Sequence, residues 1–291
     1  MGSCETDLHL ELQEGGGQLV LFAFPTADST LAVHLSKSVS HSSVDFFERI
    51  YDGYIAIYKN GARIDSFEWA HEKTWEMKAH ISLKQGDHIK IVGGNKEGLR
   101  VVGQTTLPKA ISIDGITGND TTSINSSRFI MHDITFTDPL DIDNYYQLIV
   151  SNETIDSLGK QIEYQQISYA KTDDVFYIRD QEGSLLGGIN FLGSFSDYLI
   201  KGEQHKLRIG IPEIYLKKPG VNEKRIIRFH LLSLSEDYYS YLRSRVVAEY
   251  NYDLPVVDPI KTHTNISGGL GLVGGISIDS DSLTIIGDDY E

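Results

Sequence analysis

Ile55-Ala56-Ile57-Tyr58-Lys59-Asn60-Gly61-Ala62-Arg63-Ile64-Asp65-Ser66-Phe67 is the stretch on which the fold class turns. Two runs rich in β-formers flank Asn60-Gly61. A type I′ turn needs positive φ at both central residues, and Asn-Gly is the dipeptide that accepts this most readily. The chain is therefore expected to reverse here, pairing the two runs as a hairpin.

Alternation spreads outward from that hairpin. Leu8, Leu10 and Leu12 alternate with polar residues, as do Leu31, Val33 and Leu35, and then Trp75, Met77, Ala79 and Ile81. A period of two marks half-buried strands. Further strands fit His88–Val92 and Leu99–Thr106, each beginning shortly after a glycine. This spacing predicts an immunoglobulin-like β-sandwich over residues 18–108. Gly15-Gly16-Gly17 reads as a flexible joint that sets off residues 1–17 as a tether. Pro108 and Ile111-Ser112-Ile113-Asp114 pass the chain to a second domain, residues 109–291.

That second domain also reads as β-rich. Its expected strands are Phe129–Thr135, Tyr145–Val150, Gln161–Tyr169, Val175–Arg179, His205–Ile211 and Arg225–Leu232. Over residues 235–250 the period changes, with Tyr238, Tyr241, Leu242 and Val246 at helical spacing. Ser235 is the expected N-cap, and Glu236 and Asp237 suit the positive end of the helix dipole. The predicted class is thus mainly β, with one helix in the C-terminal half. The tail Asn265–Gly275 carries so much glycine that its backbone must approach another element closely, or turn unusually often. It lacks the Gly-Lys-[Ser/Thr] of a phosphate loop. It is expected to form one unit with the helix, the helix stripe being core.

Composition excludes several functions. Asp and Glu number 41 against 26 Lys and Arg, a formal charge of −15. Nucleic-acid affinity comes from neutralising phosphates with cations, so broad nucleic-acid binding is excluded. One cysteine makes neither an intrachain disulfide nor a thiolate zinc cluster. Among ten histidines there is no His-Glu-x-x-His; His71-Glu72 lacks its second imidazole. There is no Gly-x-Ser-x-Gly elbow, and Ser168-Tyr169-Ala170-Lys171, formally Ser-x-x-Lys, has no companion motif. Asp138, Asp141 and Asp143 with Asn144 offer hard oxygen ligands for calcium, without the glycine and distal glutamate of an EF-hand loop. The plainer reading is a turn whose side chains satisfy local backbone groups. No metal, cofactor or catalytic residue is expected.

The opening Met1-Gly2-Ser3-Cys4-Glu5-Thr6-Asp7 allows three readings. It fits the myristoylation pattern, the stump of a bacterial lipoprotein whose Cys4 carries lipid, or an expression scar beside an idle thiol.

Taken in order, several motifs resemble those of the domain of unknown function 4249 family of Bacteroidota outer-membrane lipoproteins. They are Tyr54-Ile55-Ala56-Ile57 before a turn, Gln85-Gly86-Asp87-His88-Ile89-Lys90-Ile91, and Thr105-Thr106-Leu107-Pro108. Phe136-Thr137-Asp138-Pro139 leading to Asn144-Tyr145-Tyr146 is more specific. Most specific are Ser235-Glu236-Asp237-Tyr238-Tyr239-Ser240-Tyr241-Leu242 and Thr264-Asn265-Ile266-Ser267-Gly268-Gly269-Leu270-Gly271. Leu272-Val273-Gly274 departs from the family, which usually has an aromatic before the last glycine. A signal peptide is also missing. The resemblance implies lipidation at Cys4, with Glu5 and Asp7 as an acidic surface-export signal, and it displaces the myristoylation reading. It further implies a lipid-anchored protein at the cell surface beside TonB-dependent transporters. Asp28-Ser29-Thr30, Asp120-Thr121-Thr122, Asp156-Ser157-Leu158 and Asp281-Ser282-Leu283 resemble the phylum's O-glycosylation pattern. The expected function is that of a non-enzymatic accessory subunit of such a transporter, or of another outer-membrane complex, in ligand capture or assembly. The alternative is a stand-alone adhesin or glycan-binding module, stacking sugars on tyrosines or on Trp69 and Trp75.

Overall fold

The computed structural model describes residues 16–40, 43–69, 76–118, 120–177, 191–251 and 261–288. Its first seven strands are β1 (Leu19–Ala23), β2 (Leu31–Lys37), β3 (Gly53–Lys59), β4 (Ala62–Trp69), β5 (Met77–Ala79), β6 (His88–Asn95) and β7 (Arg100–Thr106). The β3–β4 hairpin turns at Asn60 and Gly61, with φ of 51° and 85°, as the type I′ reading requires. Two four-stranded sheets result, β4-β3-β6-β7 and one containing β1-β2-β5. Leu19, Leu21, Val33 and Leu35 from one meet Ile55, Ile57, Ile89 and Ile91 from the other in a single core. The alternating burial of β2 is the alternation of its sequence made physical, whereas β1, apolar at every position, also alternates in burial.

A second pair of sheets follows. Its strands are β8 (Ile113–Thr117), β9 (Thr121–Ile124), β10 (Ser127–Thr137), β11 (Tyr145–Asp156), β12 (Gln161–Ile167), β13 (Ala170–Lys171), β14 (Ser194–Ser196), β15 (Gln204–Pro212) and β16 (Glu223–Leu234). Then come helix α1 (Glu236–Asn251), β17 (Leu270–Val273) and β18 (Ile276–Ile286). One sheet has the order β13-β15-β10-β8, with β9 on β10; the other is β12-β11-β16-β18, with β14 on β11. Phe136, Tyr146, Phe176, Phe195 and Phe229 fill the space between them. The protein is mainly β, with one α-helix among the described residues, as expected.

Two expectations need correction. Val175–Arg179 does not begin as a strand: Asp174–Phe176 is a 3-10 turn, capped by the Asp173 carboxylate accepting from the Val175 N–H. Capping satisfies that donor locally, where a strand would have needed a sheet partner. The tail, expected wholly within the second domain, belongs to both sandwiches. Strand β17 pairs in parallel with β1, from Val20–Leu270 to Ala23–Val273, and completes the first sandwich. Strand β18 pairs antiparallel with β16 along eleven residue pairs and edges the second. Only Gly274-Gly275 separates them.

Candidate functional site

The chain passes from the first sandwich to the second at Leu107–Ile111 and, after coming back for β17, passes over again at Gly274-Gly275; these two crossings lie side by side. The Gly275 N–H donates to the hydroxyls of Thr105 (3.0 Å) and Ser235 (3.1 Å), while the Ser277 hydroxyl donates to the Pro108 carbonyl at 2.6 Å. A Cβ on Gly274 would stand 2.9 Å from Tyr238, and one on Gly271 2.0 Å from the Leu21 carbonyl oxygen. Both readings of the glycines hold, close approach at these positions and positive φ at Gly268 (84°) and Gly271 (113°).

Helix α1 braces this seam. Ser235 caps it, accepting from the Tyr238 N–H at 3.4 Å. Its residues divide between the two sandwiches. Tyr241 meets Phe22 edge-on at 6.0 Å and Tyr238 meets Phe24 at 5.0 Å, both against the first sheet. Tyr239 stacks on Tyr145 at 4.7 Å, and Leu242 packs with Leu232, Leu234 and Ile276 of the second. Helix and tail form one unit, and Leu242 and Val246 are core, as expected. The Asn265 side chain ties the unit together. It donates to the Asp237 carboxylate and to the Gln104 and Val273 carbonyls, and accepts from the Val273 N–H, all at 2.9–3.0 Å.

The proposed calcium ligands do not converge. Asp138 is buried, and accepts from the Tyr146 hydroxyl at 2.5 Å, the Gly202 N–H at 2.9 Å and the Asn144 amide at 3.3 Å. Asp141 points to solvent, and exposed Asp143 pairs with Lys201. Asp197, missed in the sequence, accepts from the Asn144 N–H at 2.8 Å. Burial pushes the Asp197 carboxyl above the usual carboxylate range; the Asn144 N–H opposes this, and the charge of Asp138 adds to it. Nothing in the local sequence connects Asp197 to Asn144, 53 residues away.

Other candidates separate. Ser168 is exposed, whereas Lys171 lies over the Tyr169 ring at 4.4 Å, and burial lowers its pKa. Cys4, Glu5, Asp7, His71, Glu72 and Trp75 lie outside the described residues.

Two surfaces remain available. Between β2 and β3 an irregular segment exposes Val44 (96%), Phe46 (97%) and Tyr51 (61%). Its apolar residues follow no period, so a search for strands or helices passes over them. On the outer face of the β4-β3-β6-β7 sheet, Tyr54 and Tyr58 flank Ala56 in a hollow of about 520 Å³ with Arg63, Glu68 and Arg100.

Most motifs of the resemblance thus have a place in one of three polar locks: the Asn265 seam, the Asp138 loop, and Asp87, which grips the first hairpin; in Tyr54-Ile55-Ala56-Ile57 the two isoleucines are core and Tyr54 is exposed. Asp87 accepts from the Asn60 amide (2.9 Å) and the Lys84 N–H (2.8 Å) and pairs with Lys59 at 3.2 Å. The family described as "Domain of unknown function (DUF4249)" matches residues 5–282. The chain belongs to that family. Curated proteins contain no match to the sequence. Among solved structures, the chain is similar to "The structure of a beta-glucuronidase from glycoside hydrolase family 2". That likeness has 8% identity and a TM-score of 0.21, covering 94% of this chain and 21% of the other. The chain thus spans about a fifth of the length of that enzyme. For the DUF4249 chain, the locks give the side chains of Asp87, Asp138 and Asn265 internal hydrogen-bond partners.

Proposed function

We propose that this protein is a non-enzymatic lipoprotein of the Bacteroidota outer membrane, displayed on the cell surface. Lipid on Cys4 anchors it, and Glu5 and Asp7 direct its export. It serves as an accessory subunit of a TonB-dependent transporter, or of another outer-membrane complex, in ligand capture or assembly. The supporting observation is the exposed apolar segment at Val44, Phe46 and Tyr51. Contiguous exposed apolar side chains on a loop are characteristic of protein docking. The motif carboxylates of Asp87, Asp138 and Asp237, by contrast, are engaged in internal hydrogen bonds. Lipid is the physical requirement of the anchor: no described helix is long and apolar enough to cross a membrane, and −15 opposes anionic lipid. Each buried methylene of an acyl chain contributes about 0.8 kcal/mol.

The test is purification from native membranes. A stoichiometric β-barrel partner is expected, lost in Phe46→Ser with unchanged melting, and fatty-acid labelling is expected to vanish in Cys4→Ala. A Cys4→Ala protein that still labels refutes the anchor, and an unpartnered native protein refutes the subunit role. The second reading, a stand-alone glycan-binding module, draws on the Tyr54–Tyr58 hollow. Two tyrosines four residues apart on one strand face stand roughly 13 Å apart, enough for a short oligosaccharide. Glycan-array binding abolished by Tyr54→Ala, in a protein without a partner, decides for it.

A further inference from the structure

A cleft of about 600 Å³ opens between α1 and the edge of the second sandwich, where β12 leads into β13. From the helix come Tyr238, Leu242 and Arg245, at the spacing of one helical face. The sandwich contributes Gln147 and Ile149 from β11, Gln166 from β12, and then Tyr169 and Lys171.

Its charge runs against that of the molecule. In a chain of −15, two cations and no carboxylate line this cleft. Lys171 makes no ion pair among the described residues; its ammonium rests on the Tyr169 ring at 4.4 Å. Burial without a counter-charge disfavours the ammonium, which fits the lowered pKa of Lys171. Arg245 shares its charge with exposed Glu249 at 2.8 Å, a weak surface pair that leaves other guanidinium donors free. An anion entering here would relieve the Lys171 charge.

The remaining lining narrows the anion. The Gln147 amide donates to the Leu192 carbonyl at 3.0 Å, leaving its own carbonyl oxygen to accept. The Gln166 amide makes no hydrogen bond among the described residues and is exposed. Ile149, Leu242 and the two tyrosine rings give an apolar wall. A cavity of this size accommodates a small organic ligand, and such sites combine apolar walls with a few placed polar groups.

We propose that this cleft binds a small organic carboxylate with an apolar or aromatic body and an amide group, its carboxylate against Lys171 and Arg245. This holds whether or not the protein serves a transporter. The test is calorimetric titration of the full chain with N-acetyl-L-phenylalanine, against its neutral carboxamide and against acetate. The acid is expected to bind at least about tenfold more tightly than either control. Lys171→Met should weaken it by about tenfold or more without lowering the melting temperature, because methionine fills the same space uncharged. Arg245→Gln, at an exposed side chain, carries the test if the first variant does not fold, and should weaken binding by roughly threefold or more. Equal binding of the carboxamide overturns the charge assignment, and equal binding of acetate overturns the apolar body. Unchanged affinity in a folded Lys171→Met or Arg245→Gln protein, or no saturable binding to the parent at about 10 mM, overturns the site.

Discussion

Leu19, Leu21, Leu31, Leu35, Ile55 and Ile57 make the interior of the first sandwich aliphatic, whereas the largest buried side chains of the second are Tyr146, Phe136, Phe176, Phe195 and Phe229. Their locks differ in the same sense. Asp87, at 9% exposure, has a lysine to answer its charge; Asp138, at 2% exposure, is held by hydrogen-bond donors and makes no ion pair among the described residues. Aliphatic side chains pack well without polar atoms. A tyrosine in a core brings a hydroxyl that must find an acceptor, and Asp138 provides one for Tyr146. The second sandwich therefore depends more heavily on its polar network, and the first on its strands being complete.

The comparison can be broken most directly where the sandwiches meet. Leu242→Ala removes a buried side chain from the brace and should cost about 2–5 kcal/mol in chemical denaturation. Parent and variant should each unfold in one transition, because α1, β17 and β18 tie the two cores. Two separated transitions in the parent would show that the sandwiches are thermodynamically independent. Next come the locks. Asp138→Ala leaves the buried Tyr146 hydroxyl and the Gly202 N–H without their acceptor and should cost about 2–4 kcal/mol, against about 1–2 kcal/mol for Asp87→Ala. Equal losses would contradict the contrast drawn above.

Acid sharpens it further. Burial tends to raise the Asp87 carboxyl, but the Lys84 N–H, Asn60 and Lys59 outweigh it and the net shift is downward. Its contribution is present above the unfolded-state pKa and is lost as pH falls through the lower, folded value. Asp197 is shifted upward, so its ionised form opposes folding at neutral pH, and that cost disappears as pH falls through its raised value. Asp197→Asn should therefore melt higher than the parent at pH 7, and the gap should close on acidification. Gly61→Ala should cost as little as Asp87→Ala, since φ of 85° costs an L side chain about 1–2 kcal/mol. That loss should appear as a modest fall in melting temperature, with both locks intact.

What the sequence made legible was local. Asn60-Gly61, the alternation of β2 and β3, and Ser235 before two acids each act within a few residues, so their signals sit together in the chain. Strand β18 escaped because Ile276-Ser277-Ile278-Asp279-Ser280-Asp281-Ser282 mixes serine and aspartate into an edge strand whose polarity does not follow its burial, with Ser277 buried and Ile278 exposed. Strand β17 escaped for another reason. Its partner Val20 lies 250 positions from Leu270, and no periodicity encodes which distant edge a glycine-rich strand will join. The Asp138 loop was seen as a cluster of acids and read as a turn, but its partners Asp197 and Gly202 come from a later segment. The exposed Val44, Phe46 and Tyr51 belong to no regular element, so pattern reading had no template for them.

The parallel pairing of β1 with β17 also sets an order of events at the ribosome. By the time Leu107 has been made, every strand of the first sandwich except one exists. The missing one, Leu270–Val273, is complete only 166 residues later (273 − 107). At about 5–20 residues per second, the open edge of β1 waits roughly 10–30 s for its neighbour. During that interval the nascent chain offers an unpaired, largely apolar strand edge, the kind of surface on which chains aggregate. A chain truncated before Leu270 should remain in that condition permanently.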